Sequence, residues 1–572
     1  MAASKYQRGL YQTRPVVPIE PGRVLESESI DERLLAAAAG GALLVDGFLG
    51  VDWNQVKRHL QSLSIFADSE FFDMRSAMLS EHCLDALIAP CLDNGDPVFG
   101  RMCEGSLADF FLPGALRTLQ ARVAKGNCVV LGPGAALTHE KRPVVYFDVS
   151  KESLQVRSQK PLNLGQRVPV DGSFYKRAYF VDWPVLERHR NSIRSRISLW
   201  IDANHQGRWL ALEGPYLRST ISGVARRPFR VKPWFLPGPW GGQFMKGHMG
   251  LNSGAPNLAW SYELIAPENG VLVGRDSMAV ELPVPFLIAQ EPDAYLGEAV
   301  ARRFGSNFPI RFDYLDTVNG GNLSLQCHPS DSFIHSQFGE PFTQDETYYI
   351  HDCQGGSTVY LGFREDANLE EFWEMARRSE TEGRPFEVER FINVWPSQKH
   401  DMFLIPNGTV HCSGRGNLVL EISATPYIYT FKIYDYVRQD LAGNLRPLHI
   451  DYARLNARPD RTTGWVKSNL IPLPRLTRRE ADWEVYEICN TPLLFYAVER
   501  VEFSTRVRGM TSAGVEVVNL VEGEQVEIIS LGGSLELHYA ETAIIPAAAG
   551  AYVLQNRSRN RAKLLKAMVR PL

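Results

Sequence analysis

A chain of 572 residues, 44% hydrophobic and 22% charged, has the balance of a folded, water-soluble protein and is too long for a single core. Its formal charge of −4 leaves no basic footprint, which excludes nucleic acid and anionic membrane as main partners. The nearest candidate for a membrane span, residues 34–49, is interrupted by Asp46, and the eight cysteines form no C-x-x-C pair. A cytoplasmic location follows, without a disulfide framework or a cysteine zinc site.

Residues 1–34 begin as a polar, Pro/Arg-containing stretch and read as an N-terminal extension. From 35 to 235, apolar strand-like runs alternate with helical ones, the grammar of an α/β domain with a largely parallel sheet. Residues 42–53 read as a strand running into a loop, with a helix after it. Residues 114–124 read as helix. Residues 128–137 (CVVLGPGAAL) read as strand, glycine turn and helix, and 144–150 as a neighbouring strand. The G-x-G-A-A turn lacks the Lys and Ser/Thr that hold phosphate and Mg²⁺, so its simplest reading is a helix-packing turn. Residues 174–196 are rich in Arg, Lys and aromatics. They read either as an anion-binding lid or, more simply, as a solvated amphipathic helix.

The proline-rich segment 228–240 marks a boundary. Beyond it come short strands, glycines and turns, interrupted by one helical insert at 368–383, a pattern of sandwich or jelly-roll type. Residues 470–482 read as a polar linker, and the last ninety residues are again strand-like.

Within 320–333 (GGNLSLQCHPSDSF), Gln326 and His328 stand two apart on a strand-like run, so alternation puts both on one face. Glu346 opens the next strand, and His411 follows a Pro-Asn-Gly turn. Two imidazoles, a carboxylate and an amide oxygen suit Zn²⁺, and nickel, iron, manganese or cobalt can use the same ligands.

These segments carry a resemblance. LSLQCHPSDSF, DETYYI, IPNGTVHCSGRGNLVLEI and KIYDYVR resemble, in order, motifs of the type I phosphomannose isomerases, also called mannose-6-phosphate isomerases. PWGGQFMK and FGSNFPIRFDYLD are similar to that family's upstream segments. The resemblance covers about residues 236–450. It implies a metal-binding cupin domain over 236–470 with Gln326, His328, Glu346 and His411 as metal ligands. It also implies a C-terminal cupin-like barrel over 471–572, in which His538 is the only strand histidine and no metal set exists. The α/β domain at 35–235 resembles a degenerate P-loop kinase domain. The fold expected is multidomain, α/β plus all-β: an α/β sheet domain, then two β jelly-roll barrels with a helical insert.

The reaction implied is a metal-dependent interconversion of an aldose and a ketose phosphate through an enediol(ate), most simply mannose 6-phosphate to fructose 6-phosphate. The partner implied is a small sugar phosphate, and a homodimer stays open. Lys432 and Asp435 are candidate catalytic residues by location, each equally readable as a structural ion-pair residue. Glu421 reads as support behind the metal ligands or as a turn-end carboxylate. Two departures from the family pattern stand out: Gln344 where the family has a lysine, and Lys432 where it has an arginine. They keep open an alternative, a non-catalytic sugar- or sugar-phosphate-binding regulatory protein. A cupin oxygenase using iron is a third reading.

Overall fold

The computed structural model describes residues 11–157, 164–165, 174–205, 207–247, 249–251, 254–439, 443 and 445–570. It is a mixed α/β structure with six sheets, and its contacts divide it into two interleaved units.

The first unit comprises residues 16–224 and 268–291. Its main sheet runs Glu70–Asp73, Cys128–Leu131, Ala42–Gly47, Val144–Asp148, Ile197–His205, Arg208–Glu213 and Leu25–Glu26 from edge to edge. The first five strands are parallel, and the next pairs antiparallel. Leu43, Leu44, Val45, Val129, Val130, Val144 and Val145 are all at or below 1% exposure. Such continuous apolar runs mark strands covered on both faces. A three-stranded sheet pairs Val16–Pro18 with Gly270–Arg275, which turns back into Met278–Pro283.

Several expectations are corrected here. Residues 16–34 are not an extension. Val16–Pro18 is a strand, and helix Glu28–Ala38 buries Ile30 and Leu34; residues 1–10 lie outside the described residues. Residues 268–291, expected in the β region, belong to the α/β unit. After Cys128–Leu131 there is no helix but one 3-10 turn, Ala135–Thr138. Its amides are already satisfied by an internal anion. The fully buried Asp46 carboxylate accepts from Gly134 N (3.0 Å) and Ala136 N (2.8 Å), with His189 Nε2 2.8 Å away. The strand–loop–helix arrangement occurs instead at Ala42–Gly47 and Trp53–Ser62. There Asp52, Trp53 and Asn54 occupy the positions where a phosphate loop carries Gly-Lys-Ser/Thr, and Asp52 caps the helix by accepting from Gln55 N (2.9 Å). The 174–196 segment is not solvated. Its helix Trp183–Ser192 buries His189 and Arg190, which reach Asp46 and Asp148.

The second unit comprises residues 1–15, 225–267 and 292–572. It holds two pairs of antiparallel sheets. In the first pair, a six-stranded sheet (Met402–Ile405, Glu346–Cys353, Asn417–Ala424, Ile310–Asp316, Trp260–Leu264, Trp234–Leu236) accompanies a five-stranded one. The latter runs Ile392–Pro396, Thr358–Phe363, His411–Ser413, Leu325–Cys327, Phe431–Tyr434. The helical insert is Leu369–Glu382, capped by Asn368 at its start and by Gly383, φ +64°, at its end. The second pair, from residue 475 onward, has six and four strands. Residues expected as a polar linker form its edge strand, Arg475–Arg479, whose exposed arginines pair with Glu487, Glu499 and Glu484. Charge on an edge strand blocks pairing with other chains, and local pattern alone reads it as linker.

Candidate metal centre

The five-stranded sheet sets three site residues in one cross-strand row. Gln326 is paired directly with His411 on one side and with Lys432 on the other. His328 follows Gln326 by two. Glu346 arrives from the other sheet, where it is paired with Ser423 and Ile405. The turn leading to His411 depends on Gly408, φ +78°, because a Cβ there would lie 2.6 Å from Asn456 O. Its amide donates to His328 O (2.9 Å), tying the two histidine segments together.

His328, Glu346 and His411 bring one ligand atom each within 4.8 Å of one another, and all three are buried. His328 Nε2 stands 2.5 Å from Glu346 Oε2, and His411 Nε2 3.1 Å from the same oxygen. The tautomers follow from the other ring atoms. His328 Nδ1 donates to Tyr429 O (3.1 Å), and His411 Nδ1 donates to Thr409 O (2.8 Å). A carbonyl only accepts, so Nδ1 carries the proton in each ring and both Nε2 lone pairs point at the carboxylate. Acceptors that close in a buried core call for something positive between them, a shared proton or a metal ion. Glu346 Oε1, buried and without a hydrogen bond, adds an orphaned acceptor. The Gln326 amide lies 3.4 Å from His411 Nε2. The donor set, with carbonyls orienting both imidazoles from behind, therefore fits a divalent metal.

Burial lowers His328, keeping the imidazole neutral as a ligand must be.

Around this centre the structure adds residues that the sequence did not single out. Arg311 and Asp313 face Ser423 and Glu421 across the paired strands. Arg311 pairs with Glu421 through Nη2, and its Nε lies 3.1 Å from Asp313 and donates to Ser423 Oγ (2.8 Å). Glu421 thus sits in mid-strand and braces Arg311. Gln344 fits between Pro426 O, to which its amide donates (3.0 Å), and Arg311 Nη2, from which it accepts (3.2 Å). Burial pushes the Asp313 carboxyl up to about 7. The one signal for this network was two charged residues alternating within a buried strand.

The two catalytic candidates differ. Lys432 lies in the ligand row, and burial, with Arg446 nearby, pushes its amine down to about 8. Asp435 is saturated. It accepts from Ser324 Oγ (2.6 Å), Arg438 Nη1 (2.9 Å) and Arg446 Nη1 (2.6 Å). Tyr436 and Val437 follow it at φ +55° and +54°, a strained conformation for a β-branched residue that this clamp helps hold.

A family model described as a domain of unknown function (DUF8485) matches residues 26–226. The other similarities are to mannose-6-phosphate isomerases, at low identity. ManA of Bacillus subtilis is 28% identical over 227 residues, 40% of this chain and 67% of that protein. GmuF, a probable mannose-6-phosphate isomerase of the same organism, is 25% identical over 341 residues, 57% and 96% of the two chains. Among solved structures, the B. subtilis mannose 6-phosphate isomerase matches with TM-score 0.49 and 18% identity, covering 60% of this chain and all of that one. A zinc-bound mannose 6-phosphate isomerase matches with TM-score 0.47 and 14% identity over the same share. Among the described residues, no helix is long and apolar enough to cross a membrane.

Proposed function

We propose that the protein is a metal-dependent aldose–ketose isomerase acting on a sugar phosphate, mannose 6-phosphate to fructose 6-phosphate, with zinc as its metal. The observation that carries this reading is the convergence of two Nε2 lone pairs on the Glu346 carboxylate in a buried core. Gln326, His328, Glu346 and His411 would hold the ion. Bound there, it would polarise the substrate's carbonyl and hydroxyl oxygens and stabilise developing negative charge.

The chain's own part is proton transfer and orientation. Lys432, with its amine near 8, exists in both forms close to neutral pH, as a proton shuttle requires. The neutral amine takes the C2 proton of the open-chain aldose and returns it to C1, while the O2 proton ends on O1. Asp435 acts as a positioning residue. It holds Arg446 beside Lys432, where the arginine's charge lowers the amine and the carboxylate's own charge raises it.

A second reading, a non-catalytic sugar-phosphate-binding regulator, draws on the saturation of Asp435 and the locking of the Gln344 amide against Arg311. A coupled assay converting mannose 6-phosphate to fructose 6-phosphate, with and without Zn²⁺ and beside His411→Ala, separates the two. Zinc-dependent turnover lost in His411→Ala is expected. Retained sugar-phosphate binding with no turnover in any divalent metal would leave the regulator.

A further inference from the structure

The α/β unit carries a second feature that the isomerase reading does not use. In its parallel sheet, the chain leaves Ala42–Gly47 for strands on one side and leaves Val144–Asp148 for Ile197–His205 on the other. The carboxyl ends of these two neighbouring strands form a topological switch point, the place where open α/β sheets bind ligands.

Arg190 sits at the carboxyl end of Val144–Asp148. Its Nη1 lies 3.2 Å from Asp148 Oδ1, and its guanidinium stands 5.3 Å from the Phe48 ring and 5.4 Å from the Phe286 ring. The side chain is 2% exposed, yet Nε and Nη2 have no hydrogen-bond partner. These two atoms form the edge with which arginine grips a carboxylate or phosphate bidentately. Beside them, Tyr146 and Trp200 are cross-strand partners with rings 5.3 Å apart, and Trp200 stacks on Phe286 at 4.7 Å. Tyr146 OH and Trp200 Nε1 are likewise buried and unpartnered. The deficit has one sign: hydrogen-bond donors lack acceptors.

Three neighbouring carboxylates are engaged elsewhere. Asp46 accepts from Gly134 N and Ala136 N and faces His189, Asp202 accepts from Glu281 N (2.7 Å) and Asn204 N (2.8 Å), and Glu187 pairs with Lys151 (3.0 Å). We infer that this switch point binds a small oxoanion group, a carboxylate or a phosphate, on the Nε/Nη2 edge of Arg190 with Trp200 and Tyr146 as further donors. Burial pushes Asp148 up to about 7, so near neutral pH part of the arginine's charge is left for such a ligand.

The test is equilibrium dialysis of the full chain against labelled inorganic phosphate and, separately, malonate. Saturable binding of one equivalent is expected, and the probe that binds identifies the source of the oxoanion. Binding should weaken by at least about tenfold in Arg190→Gln, since a bidentate charged contact is lost. Trp200→Phe removes one donor and keeps the ring, so it decides the matter if Arg190→Gln does not fold, and it should also weaken binding. No saturable uptake of either probe, unchanged affinity in folded variants, or a phosphate-soaked crystal with only water on the Arg190 edge would each overturn the proposal.

Discussion

Removing the metal should destabilise the protein sharply, and the size of the effect follows from the geometry. With both Nδ1 protons committed to backbone carbonyls, the imidazole lone pairs face Glu346 Oε2 at 2.5 and 3.1 Å. Glu346 Oε1 has no hydrogen bond of its own. An ion present at about 100 to 1,000 times its dissociation constant contributes about 2.7 to 4.1 kcal/mol of stability. One kcal/mol moves the melting temperature of a domain of about 150 to 250 residues by about 2 to 4 °C, and less for a larger unit. For a unit the size of the second one, chelation should therefore lower the melting transition by about 4 to 6 °C. The assay is elemental analysis of the purified protein, followed by thermal melts before EDTA, after it, and after zinc is restored. His411→Ala should lose both the metal and the shift. A stoichiometric metal whose removal leaves the melt unchanged, or a His411→Ala variant with the full shift, would refute the reasoning.

Lys432→Met should lower kcat by about 100-fold or more, while leaving the melting temperature unchanged or higher, because a half-buried amine whose charged form is disfavoured is removed. In the parent protein kcat/KM should climb as pH passes through about 8, where the neutral amine becomes populated, and that limb should vanish in the variant. Asp435→Asn should cost about 2 to 3 kcal/mol in urea unfolding, since it leaves two partly buried arginines without their carboxylate. Asp46→Ala should cost about 3 kcal/mol or more by stripping the Ala135–Thr138 turn and His189 of their acceptor, and MgATP should raise the melting temperature of neither form. Asp148 and Asp316 are both raised to about 7 by burial. The stability they contribute is present below the ordinary carboxylate range and lost as pH rises through about 7. Urea midpoints should therefore be higher at about pH 5.5 than at about pH 8, with a shallower slope in Asp148→Asn.

The three residues that converge, His328, Glu346 and His411, were legible through the motifs that carry the family resemblance, helped by local logic. Gln326 and His328 share a face by strand alternation, and Glu346 and His411 each open a strand beside a turn. The brace behind them was not. Arg311 meets Glu421 and Ser423 only through strand pairing across more than a hundred residues, and nothing in the run FPIRFDYLD says which strand will lie alongside. Helix Trp183–Ser192 was misread as solvated for the same reason, since Asp46, which meets His189, lies 143 positions away in sequence. The glycine turn at 132–134 was read as the start of a helix. What chain chemistry alone does not state is that a buried carboxylate from another strand fills the turn and ends it after four residues.

The interleaving of the two units bears on how the chain can be divided. Strand Val16–Pro18 needs Gly270–Arg275 for its only ladder among the described residues, and Glu281 N reaches Asp202. Tyr11 and Gln12, at the other side of that boundary, bond Glu263 and Glu541 in the second unit. A cut near residue 225 therefore severs the α/β unit from its returning hairpin and the β unit from its leading segment. Either half expressed alone is expected to expose sheet edge and buried acids together. Only a permuted or split chain that keeps residues 268–291 with 16–224 would isolate the α/β unit whole.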